Sequence, residues 1–242
     1  MIRLEEIEKL SLKYQMPSLA IVREYCQHIF LSLLYSKKGS EKILFKGGTA
    51  LKIIFQSPRF SEDLDFNGIK HITHYEIEKI LTDVLSDLEF WGFAVDLLEA
   101  KKTSGGYLAK IKFSLYKFEF PIKLEVSFRK VHKRQKFQIT SIKNDYIQTY
   151  TVIHLPLEEI IEEKISALLS RAKSRDWYDF YFFLHNQMLT SKHKKYLPKI
   201  LEKLKKTRTD FKKELQSFLP YSHRTILRNF KTILKNEIEK YL

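Results

Sequence analysis

Glycine is scarce in this chain and cysteine scarcer: seven of the one and a single copy of the other in 242 residues. One cysteine, Cys26, excludes an internal disulfide framework. It lies in "IVREYCQHIFLSLL", where it reads as the filling of a helix core. No run of 18 apolar residues occurs, so no membrane span is expected. The opening "MIRLEEIEKL" carries acids where a secretion signal needs a basic patch before an apolar run, which makes the cytoplasm the expected compartment. Neither a low-complexity linker nor an internal repeat stands out. Acidic residues are also in short supply. Against 43 Lys and Arg there are 29 Asp and Glu, leaving a net charge of +14. Such a surplus favours an anionic partner (nucleic acid, nucleotide or lipid headgroup), unless the lysines serve only solubility.

The apolar side is well supplied: 44% of residues are hydrophobic and 14% aromatic, enough to bury a core in one large domain or two small ones. Residues 4–14 and 19–36 read as helices, broken at Met16-Pro17-Ser18, with Ser18 the expected N-cap. "KILF" (42–45) is a short β-type run ending at Gly47-Gly48, after which "TALKIIF" opens a helix. "LDFNG" reads as a strand closing in a turn, and 75–91 as a helix. "FAVDLLEA", "YLAKIKFSLYKF" and "IKLEVSF" read as strands, with Gly105-Gly106 a turn between the first two. From Leu157 onward the pattern is helical. The order predicts an α+β fold: a mixed sheet flanked by helices over 1–154, then an all-helical, strongly basic domain over 155–242.

Strand side chains alternate between faces. In "EDLDF", Leu64 and Phe66 need the core, so Asp63 and Asp65 project together from the other face, roughly 7 Å apart. Like charges that close repel unless a cation lies between them. Mg²⁺ usually takes one or two carboxylates plus substrate phosphates, which suits the pair. On its own an Asp-x-Asp is most often a surface turn. In "IKLEVSF" the same alternation sends Glu125 away from Leu124 and Val126, making it the natural third carboxylate; as a plain strand residue it would be exposed and paired with a lysine. Adjacent glycines between a strand and a helix let the backbone approach a ligand closely, and a helix N-terminus offers N–H groups to phosphate. Thr49 can add a hydroxyl. A tight structural turn is the other reading of Gly47 and Gly48, and the P-loop pattern is absent.

A second signal lies in "LEEIIEEKISALLSRAKSRDWYDFYFFL" (157–184). Leu157, Ile161, Ile165, Leu168 and Ala172 form one apolar stripe at helical spacing. Lys164 falls on its flank and Arg171 repeats that flank, so each must reach out to solvent or meet an anion. Asp176 and Asp179 stand among Trp177, Tyr178, Phe180, Tyr181, Phe182 and Phe183, where charges are paired or functional; Arg175 is a candidate partner.

Taken together, "FKGGTAL", "RFSEDLDF", a later strand carboxylate and "EEIIEEKISALLSRAKSRDWYDFYFFL" resemble the AbiEii/AbiGii-type nucleotidyltransferase toxins, a branch of the polymerase-β-like nucleotidyltransferase superfamily. The resemblance spans about 45–184. It implies that Gly47, Gly48 and Thr49 form a phosphate loop and that Ser61 with Asp63 and Asp65 is the Ser-x-Asp-x-Asp motif, its aspartates metal ligands. It further implies that Lys164 contacts nucleotide phosphates and that Asp176 is a downstream functional acid, with Asp179 competing for that place. Glu125 departs from the pattern, since the superfamily commonly has Asp there. Relatives are toxins of toxin–antitoxin or phage-exclusion systems, and some add nucleotides to tRNA 3′ ends.

Residues 192–242 hold fifteen Lys and Arg against five Asp and Glu, ten of the fourteen net positive charges. Basic residues alternate there with Leu, Ile, Phe and Tyr, which suits an RNA backbone or a solvated helical cap. The combined expectation is a nucleotidyltransferase using Mg²⁺ or Mn²⁺ and an NTP. Asp63, Asp65 and Glu125 would be its metal ligands, with Lys164 and Asp176 also catalytic. Gly47, Gly48, Thr49, Ser61, Lys164 and Arg171 would bind the nucleotide. The acceptor would be RNA such as tRNA, and a cognate antitoxin the partner. A small-molecule nucleotidyltransferase of the aminoglycoside type and a catalytically silent nucleic-acid-binding protein are the alternatives.

Overall fold

The structure is a computed structural model and describes residues 1–69, 72–128 and 136–242. The chain divides into two compact units: Met1–Gln56 with Phe60–Pro156, and Leu157–Leu242 with the short segment Ser57–Arg59.

The first unit opens with α1 (Leu4–Tyr14) and α2 (Ser18–Ser36). Ser18 is the first helical residue and not the cap; Pro17, extended at φ −58°, ψ 145°, takes the cap position, and no side chain caps the helix. Ring closure holds Pro17 at a φ that suits this entry without a cap hydroxyl. Then come β1 (Ile43–Lys46), α3 (Gly47–Ile53), β2 (Leu64–Gly68) and α4 (His74–Phe90). Thr73 caps α4 in a reciprocal box: its hydroxyl accepts the Glu76 N–H, and the Glu76 carboxylate accepts the Thr73 N–H. A meander follows, of β3 (Ala94–Thr103), β4 (Gly106–Leu115) and β5 (Phe118–Ser127). Two further strands, β6 (Gln138–Ile142) and β7 (Tyr150–His154), are absent from the sequence reading. β6 is mostly exposed and has no apolar alternation; β7 is five residues long and buries His154 beside Val152.

Among the described residues seven strands form one mixed sheet in the order β3-β4-β5-β2-β1-β7-β6. β2 runs antiparallel to β1 and parallel to β5, and β1 is parallel to β7. Alternation sets the faces. Tyr107, Ala109, Ile111 and Phe113 of β4, Phe120, Ile122, Leu124 and Val126 of β5, and Leu64 and Phe66 of β2 are buried. α2 packs against β5 and β7, and α4 against β3 and β4.

The second unit is helical: α5 (Leu157–Ser170), α6 (Ser174–His185), α7 (Ser191–Lys194), α8 (Leu197–Lys206), α9 (Phe211–Leu215) and α10 (Phe230–Glu239). Its core is aromatic. Trp177, Phe180 and Phe183 of α6 are fully buried, and Phe230 stacks on Tyr178 and meets Phe211 at 5.0 Å. α8 buries Leu197, Ile200, Leu201 and Leu204 and turns Lys199, Lys205 and Lys206 out. Some lysines terminate helices: Lys203 donates to the Leu169 carbonyl at 2.6 Å, and Lys231 to those of Lys205 and Thr207. No helix among the described residues is long and apolar enough to cross a membrane.

Phe66, at the middle of the sheet, is fully buried with its ring centroid 5.5 Å from that of Phe45. Phe66→Ala is expected to cost about 3–5 kcal/mol by urea denaturation. Phe90→Ala, at a position 89% exposed, should cost almost nothing.

Candidate active site

The turn from β1 into α3 answers for the first glycine of the pair. Gly47 has φ +82°, and a Cβ there would collide with Asp65 Oδ2 and lie 2.8 Å from Asp65 Cβ. A side chain is excluded twice, by backbone conformation and by the carboxylate. Gly48 and Thr49 are buried. The Thr49 hydroxyl donates to the Asp63 carbonyl, so its proton fixes the entry to β2.

Residues of α2 hold the next stretch. Gln27 donates from Nε2 to the Ser61 carbonyl at 3.0 Å, and Arg23 pairs with Glu62 at 2.7 Å while lying over the Phe120 ring. Lys52, on α3, is wedged over the Phe60 ring at 4.1 Å and lies 3.9 Å from the buried Glu24, which also accepts from the Tyr146 hydroxyl at 2.6 Å. Burial holds Lys52 below its ordinary pKa and pushes Glu24 above its own. Local sequence pattern does not single these residues out; their one signal is Arg23, Glu24, Gln27 and His28 set into a largely apolar helix.

Sheet register brings the acids to one face. Asp65 pairs with Glu125, and Leu64 with Leu124, across β2 and β5. Asp63 immediately precedes β2. Leu64 and Phe66 are buried while Asp65 is half-buried. Glu125 is about half exposed and paired with Lys123 at 2.8 Å, the plain-strand reading of that residue. Lys123 is held above its ordinary pKa, chiefly by this hydrogen bond, with the charges of Glu125, Asp63 and Asp65 adding to it against some burial. Among the described residues no group of three or more His, Cys, Asp or Glu side chains is arranged to hold a metal ion. The residues do fit a divalent cation held in the two-carboxylate manner of Mg²⁺. Asp63 and Asp65 would supply the oxygens, and the missing Cβ of Gly47 lets the Asp65 carboxylate seat against the turn into α3.

The second unit accounts for the flank cations of α5. Lys164 does not reach out to solvent; its ammonium lies 2.6 Å from Asp179, whose carboxylate is wholly buried. Arg59 reaches the same carboxylate with a two-pronged fork, Nε to Oδ1 at 2.8 Å and Nη2 to Oδ2 at 3.0 Å, and is itself buried. Arg171 grips Asp176 in the same bidentate way at 2.9 Å, and the Lys173 N–H adds a third bond at 3.1 Å. Arg175, a candidate partner on sequence, lies instead over the Phe218 ring. Of the two downstream acids, Asp179 carries Lys164 and Asp176 carries Arg171.

Burial alone would raise the Asp179 carboxyl, but Arg59 and Lys164 outweigh it and hold it below its ordinary value of 3.8. Its contribution to stability is therefore complete above pH 3.8 and lost as pH falls through the lower folded value. Asp179→Asn should lower stability by about 3–5 kcal/mol at neutral pH and flatten the acid limb of a melting-versus-pH series. Gly47→Ala should cost about 1–3 kcal/mol in urea denaturation, through backbone strain and displacement of Asp65.

Residues 30–238 match the family described as nucleotidyl transferase AbiEii toxin of type IV toxin–antitoxin systems. Among solved structures, JHP933 from Helicobacter pylori is 21% identical over 93% of this chain and 95% of its own, with a TM-score of 0.62. MenT4, a nucleotidyltransferase toxin from Mycobacterium tuberculosis H37Rv, is 14% identical over 100% of this chain and 93% of its own, also at 0.62. At such identities the likeness is one of fold. No curated protein matches the chain. The family match runs from α2 through the carboxylate strands into α10, most of the chain's length, and the chain belongs to the AbiEii family of nucleotidyltransferase toxins.

Proposed function

We propose that this nucleotidyltransferase moves a nucleoside monophosphate from an NTP to a hydroxyl of an RNA acceptor, with tRNA the first acceptor to test, and that it acts in the cytoplasm as the toxin opposed by a cognate antitoxin. The observation that carries the reading is Asp65 fitted against Gly47 and abreast of Glu125 on one sheet face.

Asp63 and Asp65 are the residues that would hold Mg²⁺ or Mn²⁺. Bound there, the ion supplies charge neutralisation to the triphosphate and the departing pyrophosphate. The acceptor hydroxyl attacks the α-phosphorus, the bond to the bridging oxygen breaks, and pyrophosphate leaves. Glu125 would take the hydroxyl proton or join the aspartates as a metal ligand. Backbone N–H groups at Gly47 and Gly48 face the phosphates, and the Thr49 and Ser61 contacts keep that loop in place. Lys164 and Arg171 neutralise phosphate charge. An ammonium has three donors, so Lys164 can hold Asp179 and an anion together, and Asp176 orients the Arg171 fork. The surplus of basic residues in 192–242 favours a polyanionic acceptor over a small cationic one.

Asp63→Asn keeps the shape and removes the charge. Transfer of label from NTP to RNA should fall about a thousandfold, the equivalent of roughly 4 kcal/mol of transition-state stabilisation. Thermal melting should hold or rise as repulsion from Asp65 is relieved. Undiminished transfer by the variant in chelator-controlled Mg²⁺ would overturn the proposal. Labelling of small molecules but no RNA would move the acceptor to the aminoglycoside-type class.

A further inference from the structure

Two lysines stand beside the three acids of this patch, and neither enters the proposed chemistry. Lys46 of β1 is opposite Asp65 across β1 and β2; the other is Lys123. It stands two residues before Glu125 on the same strand and hence on the same face. Its ammonium lies 2.8 Å from Glu125 Oε2. Leu64 pairs with Leu124 and Asp65 with Glu125, and Asp63, just before β2, is near enough for its charge to act on Lys123. On its other side β4 presents Lys110 directly opposite, a like charge that favours placing the Lys123 ammonium toward the acids. Lys112, on the same face, is different: it is held by Asp96 at 2.8 Å, with Glu119 adding its charge, and has no aspartate of the motif near it. Lys123 faces three acids.

Carboxylates abreast on neighbouring strands destabilise a sheet unless a cation lies among them. A divalent ion would meet that need when bound, and Lys123 meets part of it otherwise, beside Lys46 opposite Asp65. The two cannot use the same carboxylate oxygens together. A lysine is suited to exchange, because its ammonium rides on a flexible four-carbon stem and the Lys123 side chain is 43% exposed, with solvent to move into.

We propose that Lys123 is an exchangeable counter-ion of this site: its ammonium, held on Glu125, offsets part of the acids' charge in the free protein and is displaced when a divalent cation binds, so that Lys123 lowers the affinity for that cation. The inference rests on the metal reading above. It makes the lysine a competitor of the metal, where a purely structural ion pair would leave metal affinity unchanged.

The test is Mn²⁺ titration of the full chain by calorimetry at fixed ionic strength, without nucleotide. Lys123→Met should bind Mn²⁺ about tenfold more tightly than wild type, as one positive charge leaves the site. Lys123→Arg, which keeps the charge, should bind less tightly than Lys123→Met, and Lys112→Met should match wild type. Metal-free Lys123→Met should melt lower than wild type, with saturating Mn²⁺ closing most of the gap. Lys123→Gln serves in its place if Lys123→Met does not fold. Wild-type binding that is unchanged or weakened by loss of Lys123 would overturn the counter-ion alone. A flat titration for wild type and variants would overturn the metal reading and this inference with it.

Discussion

Three acids sharing one face of two adjacent strands repel one another, and the first unit is arranged around that repulsion. Asp63 and Asp65 cannot turn inward, because Leu64 and Phe66 already fill the core between the sheet and its helices. Glu125 is held abreast of Asp65 by backbone pairing of β2 with β5. Lys123 supplies opposing charge at Glu125, and Lys46 stands opposite Asp65. The site's electrostatic demand follows from sheet register, which the core imposes: a one-residue slip would bury the acids and expose the apolar residues.

The turn into α3 obeys the same geometry from the other side. Asp65 comes so close to Gly47 that no Cβ fits between them. Thr49 holds the Asp63 carbonyl, and Gln27 and Arg23 hold Ser61 and Glu62. The motif loop is thus fixed through its backbone and neighbours. Preorganisation of this kind is what a phosphoryl-transfer site needs, since catalysis there is mostly positioning and charge stabilisation.

In the second unit a single buried carboxylate has the corresponding role. Asp179 is wholly enclosed among aromatic residues and is tolerable only because Arg59 and Lys164 both meet it. Arg59 belongs to a three-residue segment that clusters with this unit although its chain neighbours on either side belong to the first. Removing either cation would leave a buried charge under-compensated, so the trio acts as one element.

Local pattern made much of this legible. Alternation in "EDLDF" and "IKLEVSF" assigned faces to Asp63, Asp65 and Glu125, and helical periodicity marked Lys164 and Arg171 as cations needing partners. These inferences work because side-chain direction within one strand or helix follows from backbone geometry alone. Strands β6 and β7 escaped, the one an exposed edge and the other short with a buried histidine, since neither carries the apolar alternation that reveals a strand. What lay beyond reach were relations between segments. That Asp65 lies beside Glu125 and not another residue of β5, that Lys123 serves three acids, and that Asp179 and not Asp176 receives Lys164 depend on pairings across tens of residues. Arg59 meets Asp179 across 120 residues of chain. The sequence by itself determined which side chains share a face of their own strand or helix, because that depends on bond geometry repeated along one segment. Only the tertiary structure decided which charges meet, because register and helix docking are chosen by the whole core at once.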